Sequence, residues 1–299
     1  MRYGFIGLGN LGGKLAGSLA RKGFDLTVCD VNPSLAEPLL ALGAKWAATP
    51  QETAAEVDAL ITCLPSPQVS EAVLKQALAT LKPGSTWIEM STNDQDTILR
   101  LAALAAEQGV RTLETPVTGG VHLAATGEIT VIVGGEAEAF EAHRPAFEAM
   151  GKQIFHVGAI GSASLIKVIT NMLAFIHLVA AGEALMLAKR GGLDLAQAFH
   201  VIKASSGTSF VHETESQLVL NGSYNINFTM DLACKDLGFA MKFGREFGVP
   251  LDLAALTSQT FIRAREAFGG GAWSTQVVKL LEDQLRTDLR APGFPEELT

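Results

Sequence analysis

The sequence has few of the residues that mark disulfide-rich or metal-binding proteins. Its three cysteines, Cys29, Cys63 and Cys234, lie far apart. They have no metal-ligand spacing, and their odd number suits a reducing compartment better than an oxidising one. The mid-helix residue His177 has no companion cluster of His, Cys or Asp, so it is more consistent with a core or interface histidine than with a metal ligand. We therefore expect no metal site.

Positive charge and long apolar runs are also scarce. The chain carries 23 Lys and Arg against 31 Asp and Glu, a formal net charge of −8, and shows no basic cluster, which argues against a nucleic-acid partner. It enters an apolar strand at once, without the charged leader of a signal peptide. Its most apolar run, residues 168–181, is too short to span a bilayer and contains Asn171. We expect a soluble, cytoplasmic protein with no membrane partner.

Short apolar strands alternate with helices through the first half of the chain. At 299 residues and 48% hydrophobic composition, the protein has enough apolar residues for one large or two moderate domains. The predicted strands are 2–6, 25–29, 59–63, 86–90, 111–114, 129–133 and 154–157. This alternation predicts an α/β domain over residues 1–161 with a mostly parallel, doubly wound sheet.

The second half shows almost no strand pattern. Residues 161–190 predict one long, mostly buried helix, with Ser162 or Ser164 as its N-cap and Gly191-Gly192 as its end. Further helices are predicted over 195–204, 229–247, 252–268 and 275–290. We therefore expect an all-helical domain over residues 162–299. Because so long an apolar helix tends to carry an extensive interface, a homodimer or homotetramer is also expected.

A glycine-rich segment joins the first predicted strand to the first helix. Its residues are Gly7, Leu8, Gly9, Asn10, Leu11 and Gly12, which form a G-x-G-x-x-G motif. In this context Gly7 permits a tight turn, Gly9 lets the backbone approach a pyrophosphate, and Gly12 lets helix and strand pack closely. The amino end of the helix then presents N–H groups and a positive dipole to the phosphates. The motif predicts a dinucleotide site.

Asp30 ends the second predicted strand, at the spacing where an acidic residue accepts from the ribose hydroxyls. Residues 30–34 contain no arginine, and a carboxylate there would repel a 2′-phosphate. We infer NAD rather than NADP as the cofactor. The alternative is that Asp30 only caps the next helix.

Ligands of doubly wound sheets bind beyond the carboxyl ends of the strands. Leu64, Pro65 and Thr92 occupy such ends and are candidate cofactor contacts. At another strand end, Thr118, Gly119 and Gly120 could hold a substrate carboxylate through a hydroxyl and bare backbone N–H groups. The alternative for the Gly-Gly pair is a flexible turn.

Lys167 and Asn171 lie four residues apart in the long apolar helix, so they share one face. A buried ammonium is costly unless something compensates it, which suggests a reaction site. A snorkelling surface lysine is the alternative. Lys235 and Asp236 also lie within a predicted helix, where an exposed charged pair of little energetic value is the alternative to a functional one.

In these motifs the chain resembles the β-hydroxyacid dehydrogenases, the family of 3-hydroxyisobutyrate dehydrogenase and tartronate semialdehyde reductase. The matching segments, in order, are the glycine-rich start, Thr115-Pro116-Val117-Thr118-Gly119-Gly120, Gly158-x-x-Gly161 followed by Lys167-x-x-x-Asn171, and Lys235-Asp236-Leu237. The resemblance implies a Rossmann domain followed by a helical domain, NAD(P), and oxidation of a β-hydroxyacid or reduction of its semialdehyde. It also implies substrate contacts at 118–120 and places Lys235 near the cofactor.

Some residues depart from the family pattern. Thr118 stands where serine is usual, and Met172 where a second asparagine is common. Phe210 and its neighbours are also unfamiliar. The substrate therefore stays open among small acids, including 3-hydroxyisobutyrate and the tartronate, succinate and sulfolactaldehyde types of semialdehyde.

The mechanistic hypothesis assigns acid/base catalysis to Lys167, with Asn171 orienting it or holding the substrate hydroxyl. An ordinary lysine pKa near 10.4 is too high for a good base at neutral pH. Burial, the amino end of the helix and nearby positive charge are expected to lower that pKa. The rival classes are a non-catalytic Rossmann nucleotide sensor, an imine reductase and a phosphogluconate-type dehydrogenase.

Overall fold

The computed structural model describes residues 1–298. Within it the chain forms two compact units, Met1–Lys167 and the residues from Val168 onward. The division falls inside one long helix, directly after Lys167, so the first turns of this helix belong to the first unit.

The first unit is built on a nine-stranded sheet. Its strands are β1 Arg2–Ile6, β2 Asp25–Cys29, β3 Lys45–Trp46, β4 Ala59–Thr62, β5 Thr86–Glu89, β6 Arg111–Glu114, β7 Val117–Thr118, β8 Ile129–Gly135 and β9 Gly151–Gly158. The order β3-β2-β1-β4-β5-β6 is parallel throughout. Strand β8 then runs antiparallel to β6 and β7 and parallel to β9. This is the Rossmann order of a doubly wound sheet, and the predicted fold class is confirmed.

Helices cover the sheet, as a parallel sheet requires. They are α1 Gly12–Arg21, α2 Glu37–Leu40, α3 Pro50–Ala54, α4 Pro67–Ala77, α5 Gln95–Glu107, α6 Val121–Thr126 and α7 Ala137–Met150. Successive strand residues enter opposite core clusters: Phe5 lies in one and Ile6 in the other, and Ile88 and Trp87 divide in the same way. This period of two explains why the strands read as continuous apolar runs.

The second unit is helical. Its helices are α8 Ser162–Arg190, which begins in the first unit, α9 Leu195–Lys203, α10 Phe210–Asn221, α11 Met230–Glu246, α12 Asp252–Phe268 and α13 Lys279–Leu285. A 3₁₀ helix, Ser274–Val278, precedes α13. Their core is built around buried aromatic and aliphatic side chains, including Phe175, Phe199 and Phe261.

Several short elements were not predicted from the sequence. They are strands β3 and β7 and helices α2, α3, α6 and α10. The helix predicted over 275–290 is wrong as a single element. It ends at Leu285, because Arg286 adopts a left-handed φ of 49° and the buried Glu282 carboxylate accepts the N–H of Leu289 at 2.7 Å.

Helix α8 is one continuous element of 29 residues. It is longer than the apolar run considered from sequence, and by length and hydropathy alone it meets the requirement for a membrane span. The central helix of a soluble domain meets the same requirement. Phe175, Leu178 and Leu185 of α8 pack into the core of the helical unit. Only 28% of the most apolar part of α8 is buried, however, so the prediction of a mostly buried helix is wrong.

The core of the helical unit gives a direct stability prediction. Phe261 is fully buried, with its ring centroid 5.2 Å from that of Phe175, whereas the next residue, Ile262, is 43% exposed. Phe261→Ala should lower the free energy of unfolding by about 3–5 kcal/mol, because it removes apolar contacts and leaves a cavity. Ile262→Ala is the control and should cost less than about 1 kcal/mol. Equal losses of unfolding free energy in the two variants, measured by urea unfolding, would contradict the packing described for this core.

Candidate active site

The glycine-rich segment forms the turn between β1 and α1. Gly7 has φ of +98°, in the left-handed region, and an added Cβ there would overlap the Cys63 carbonyl. An added Cβ at Gly12 would overlap the carbonyl of Gly7, so strand and helix meet too closely for a side chain. At Gly9, by contrast, an added Cβ would meet nothing within 4 Å. The backbone at Gly9 is therefore open to a ligand, which is the arrangement that fits a pyrophosphate.

Asp30 lies directly beside this turn. One carboxylate oxygen accepts the N–H of Leu8 at 2.6 Å and the other accepts the N–H of Asn32 at 2.8 Å. The alternative that Asp30 caps the next helix is wrong, because Asn32 does so: its side chain accepts the N–H of Ser34 at the start of a 3₁₀ helix. The acidic side chain is thus fixed at the end of β2, against the glycine-rich turn.

The ends of β4 and β5 are joined by a hydrogen bond. The N–H of Leu64 donates to the Ser91 hydroxyl at 2.7 Å. Pro65 is exposed and Thr92 is half-buried. These contacts place the three predicted residues Leu64, Pro65 and Thr92 at carboxyl ends of neighbouring strands.

Thr118, Gly119 and Gly120 lie between β7 and α6. Thr118 is half-buried and pairs with Thr130 of β8. Gly119 and Gly120 have φ of +121° and +93°, so both need the conformational freedom of glycine, and the segment is a defined turn. The ring of His122 lies next to Gly120, and burial lowers the pKa of this histidine, which favours its neutral form. His122 was not among the site residues predicted from the sequence.

Lys167 is buried near the start of α8, with 8% of its surface exposed. The alternative of a snorkelling surface lysine is therefore wrong. The expected capping by Ser162 or Ser164 is also not what the structure shows. Glu114, at the end of β6, accepts the N–H groups of Gly161, Ala163 and Ser164, and the Ser164 hydroxyl also donates to it. No sequence pattern pointed to Glu114.

Asn171 lies one turn beyond Lys167 on α8. Its side-chain amide donates to Asp236 of α11 at 2.6 Å. Asp236 is 1% exposed and also lies 2.9 Å from the ammonium of Lys235, which sits 5.0 Å from the ring centre of Phe239. The alternative of an exposed charged pair is wrong for Asp236. This buried carboxylate holds Asn171 and Lys235, two of the predicted site residues.

The described residues contain no group of three His, Cys, Asp or Glu that could hold a metal ion.

Comparisons with known proteins agree with this geometry. Residues 2–158 match the family model for the NAD-binding domain of 6-phosphogluconate dehydrogenase. Residues 161–281 match the model described as NAD-binding of NADP-dependent 3-hydroxyisobutyrate dehydrogenase.

Three similar proteins cover almost the whole chain. L-threonate dehydrogenase of Cupriavidus necator is 34% identical over 93% of this chain and 95% of its own length. 2-(Hydroxymethyl)glutarate dehydrogenase of Eubacterium barkeri is 32% identical, covering 94% of this chain and 95% of its own. The crystal structure of a 3-hydroxyisobutyrate dehydrogenase from Salmonella typhimurium is 32% identical, with a TM-score of 0.87 over 94% of this chain and 99% of that chain.

The chain belongs to the β-hydroxyacid dehydrogenase family. It is an oxidoreductase, an NAD(P)-dependent dehydrogenase that acts on hydroxyl groups. The family resemblance seen in the motifs is confirmed.

The contacts of the buried Asp236 carboxylate allow a prediction about protein stability. Asp236→Asn weakens charge-assisted contacts to Asn171 and Lys235, so it should lower the free energy of unfolding by about 1.5–3 kcal/mol. Asp231→Asn is the matched control, because Asp231 is an exposed residue of the same helix with an ion pair to Arg265. That control should lower the free energy of unfolding by less than about 1 kcal/mol. A smaller loss for Asp236→Asn than for the control, in chemical denaturation, would contradict the assignment.

Proposed function

We propose that the protein transfers a hydride between NAD and a small β-hydroxyacid, oxidising the acid or reducing the corresponding semialdehyde. The observation that carries this proposal is the buried Lys167 one helical turn from Asn171, whose amide is fixed by the buried Asp236. The names of the relatives support it. In 2-(hydroxymethyl)glutarate and in 3-hydroxyisobutyrate, the hydroxyl lies on the carbon β to a carboxylate.

The proposed cofactor contacts lie in the first unit, apart from Lys235. The Gly7–Gly12 turn would hold the pyrophosphate and Asp30 the adenosine ribose, with Leu64, Pro65 and Thr92 as further contacts and Lys235 near the nicotinamide. The bound nicotinamide supplies or accepts the hydride. A carboxylate beside the glycine-rich turn, with no arginine within residues 30–34, favours NAD over NADP.

The chain's own residues handle the proton and the carboxylate. In the oxidative direction neutral Lys167 would accept the hydroxyl proton, and in the reductive direction its ammonium would donate one to the carbonyl oxygen. Asn171 would hold the substrate hydroxyl or orient the lysine. Thr118 and the N–H groups of Gly119 and Gly120 would bind the substrate carboxylate, since both glycines are held in a defined turn.

Removing the acid/base group tests this assignment. Lys167→Ala should lower kcat by about 10²–10⁴-fold, because no group then moves the proton, while NADH affinity is retained. The matched control is Lys189→Ala, an exposed lysine of the same helix, which should turn over normally. Near-normal turnover by Lys167→Ala in a steady-state assay would overturn the proposed mechanism.

The substrate is tested by formation of NADH across a panel of acids, with NAD and NADP in parallel. The panel includes 3-hydroxyisobutyrate, L-threonate, glycerate, 4-hydroxybutyrate and L-serine, with tartronate, succinate and sulfolactaldehyde-type semialdehydes for the reverse direction. Turnover of one β-hydroxyacid supports the proposal. Turnover of a different small semialdehyde alone would favour a specialised reductase. Tight NAD binding with no turnover would favour a nucleotide sensor.

Asp30 should set the choice between the two dinucleotides. Asp30→Asn removes the charge that would repel a 2′-phosphate, so kcat/KM should fall with NAD and rise with NADP. Asp25→Asn is the control, since Asp25 begins the same strand and pairs with Lys45 on the surface. An unchanged ratio of the two kcat/KM values in Asp30→Asn would contradict the ribose role.

We also propose that the protein works in the cytoplasm as a homodimer or homotetramer, without a nucleic-acid or membrane partner. The exposed face of α8 carries a largely apolar stripe at helical spacing, interrupted by the exposed His177: Ile169, Leu173, Ala180, Ala184 and Leu187. Leu173 and Leu187 are 45% and 75% exposed, which suits burial against a second copy.

A charged residue in this stripe tests the assembly. Leu173→Glu should shift the mass measured by light scattering toward that of a monomer, because it places a charge in an apolar interface. Leu253→Glu, at an exposed leucine on α12, is the control and should leave the mass unchanged. A monomeric wild type, or an unchanged mass for Leu173→Glu, would contradict this interface.

A further inference from the structure

Glu114 is a buried glutamate that the assigned site does not use. It ends β6 and only 1% of its surface is exposed. One carboxylate oxygen accepts the N–H of Gly161 at 2.5 Å and that of Ala163 at 2.9 Å. The other accepts the N–H of Ser164 at 3.0 Å and its hydroxyl at 2.5 Å. Four donors from the start of α8 thus converge on one side chain.

These bonds tie a helix to a strand far away in the sequence. Helix caps usually come from the residue that precedes the helix, whereas Glu114 lies 47 to 50 positions from its donors. Strand β6 is itself fixed between β5 and β8. The first turn of α8 is therefore held by the sheet.

The neighbouring strand makes room for this carboxylate. A Cβ added at Gly134 of β8 would overlap the carboxylate and Cγ of Glu114. Glycine is thus needed at position 134 for the close approach of Glu114 to β8. A larger residue there would leave no room for the Glu114 side chain. The contact is a packed arrangement and not a surface ion pair.

Lys167 follows Ser164 by three residues on the same helix. Adjacent turns of a helix stack on one face, and a long side chain leans toward the amino end of its helix. The rotation of the first turn about the helix axis and its position along that axis therefore determine where the ammonium of Lys167 lies. Glu114 fixes both by accepting the N–H groups of Gly161, Ala163 and Ser164 at the start of that turn.

We propose that Glu114 is a positioning residue for Lys167: by anchoring the amino end of α8 to the end of β6, it sets the place of the acid/base group. This inference rests on the proposed role of Lys167. It assigns to Glu114 an effect on the chemical step and none on the binding of NAD or of the acid.

The neighbouring strand provides a matched control. Glu89 ends β5 in direct register with Glu114 and is equally buried, at 1%. It accepts the Thr62 hydroxyl and the Ser91 N–H, neither of which belongs to α8. Burial raises the pKa of both carboxyl groups, that of Glu89 to about 7. Glu89→Gln therefore reports the effect of changing a buried strand-end glutamate that does not hold the helix.

The test compares Glu114→Gln with Glu89→Gln in steady-state kinetics, NADH titration and thermal melting. Glutamine keeps the volume but presents a donor where Ser164 needs an acceptor. Glu114→Gln should lower kcat by about 10- to 100-fold through misplacement of Lys167, with KM for the acid and NADH affinity unchanged. Glu89→Gln should leave kcat unchanged. Wild-type kcat in Glu114→Gln, or equal kcat losses in the two variants, would overturn the proposal.

A milder variant and a double variant complete the test. Ser164→Ala removes one of the four donors, so it should also lower kcat, by a smaller factor, even where Glu114→Gln folds poorly.

In a Lys167→Ala background, Glu114→Gln should cause no further loss of the residual rate. An additive loss would show that Glu114 does not act through Lys167. If Lys167→Ala itself turns over normally, the proposed function fails. If Lys167→Ala is inactive and Glu114→Gln is normal, only the positioning role fails.

Discussion

The hydrogen bonds between the Glu114 carboxylate and the start of α8 are the interaction on which the site depends. An isolated helix leaves its first N–H groups without partners, and here a buried strand-end carboxylate satisfies them. Charge-assisted bonds of this kind are about twice as strong as neutral ones. Because the accepting carboxylate of Glu114 belongs to the central sheet, the first turn of α8 is anchored within the first unit. The compact first unit ends at Lys167.

A second buried carboxylate plays a comparable part further along the chain. Asp236 holds the amide of Asn171 and lies against the ammonium of Lys235. Burying a carboxylate is unfavourable unless it is paired and hydrogen-bonded, and a packed apolar side chain would be the simpler choice for stability alone. Asp236 holds two residues that we place in the reaction, and Glu114 holds the helical turn that precedes Lys167. The cost of burying these carboxylates is consistent with a role in orienting functional groups.

The sequence predicted the features that have local patterns. The Gly7–Gly12 turn, the parallel strands and the apolar helix with Lys167 and Asn171 all follow from spacing within a few residues. Glu114 and Asp236 could not be found in this way, because their partners lie 47 to 65 positions away. In sequence Glu114 is the polar end of a strand and Asp236 half of a charged pair. Helix α10 was not predicted. The helix predicted over 275–290 was too long, because its end depends on the left-handed conformation of Arg286 and on the local bond from Leu289 to Glu282.

We propose that Lys167 moves the proton of the substrate hydroxyl. The most direct measurement is the distance from the Lys167 ammonium nitrogen to that hydroxyl oxygen in a crystal structure with NAD and the acid that the panel identifies. We expect a hydrogen bond of about 2.6–3.2 Å between these atoms, made directly or through one water molecule. A structure in which another titratable side chain contacts this oxygen, with Lys167 out of reach, would contradict it.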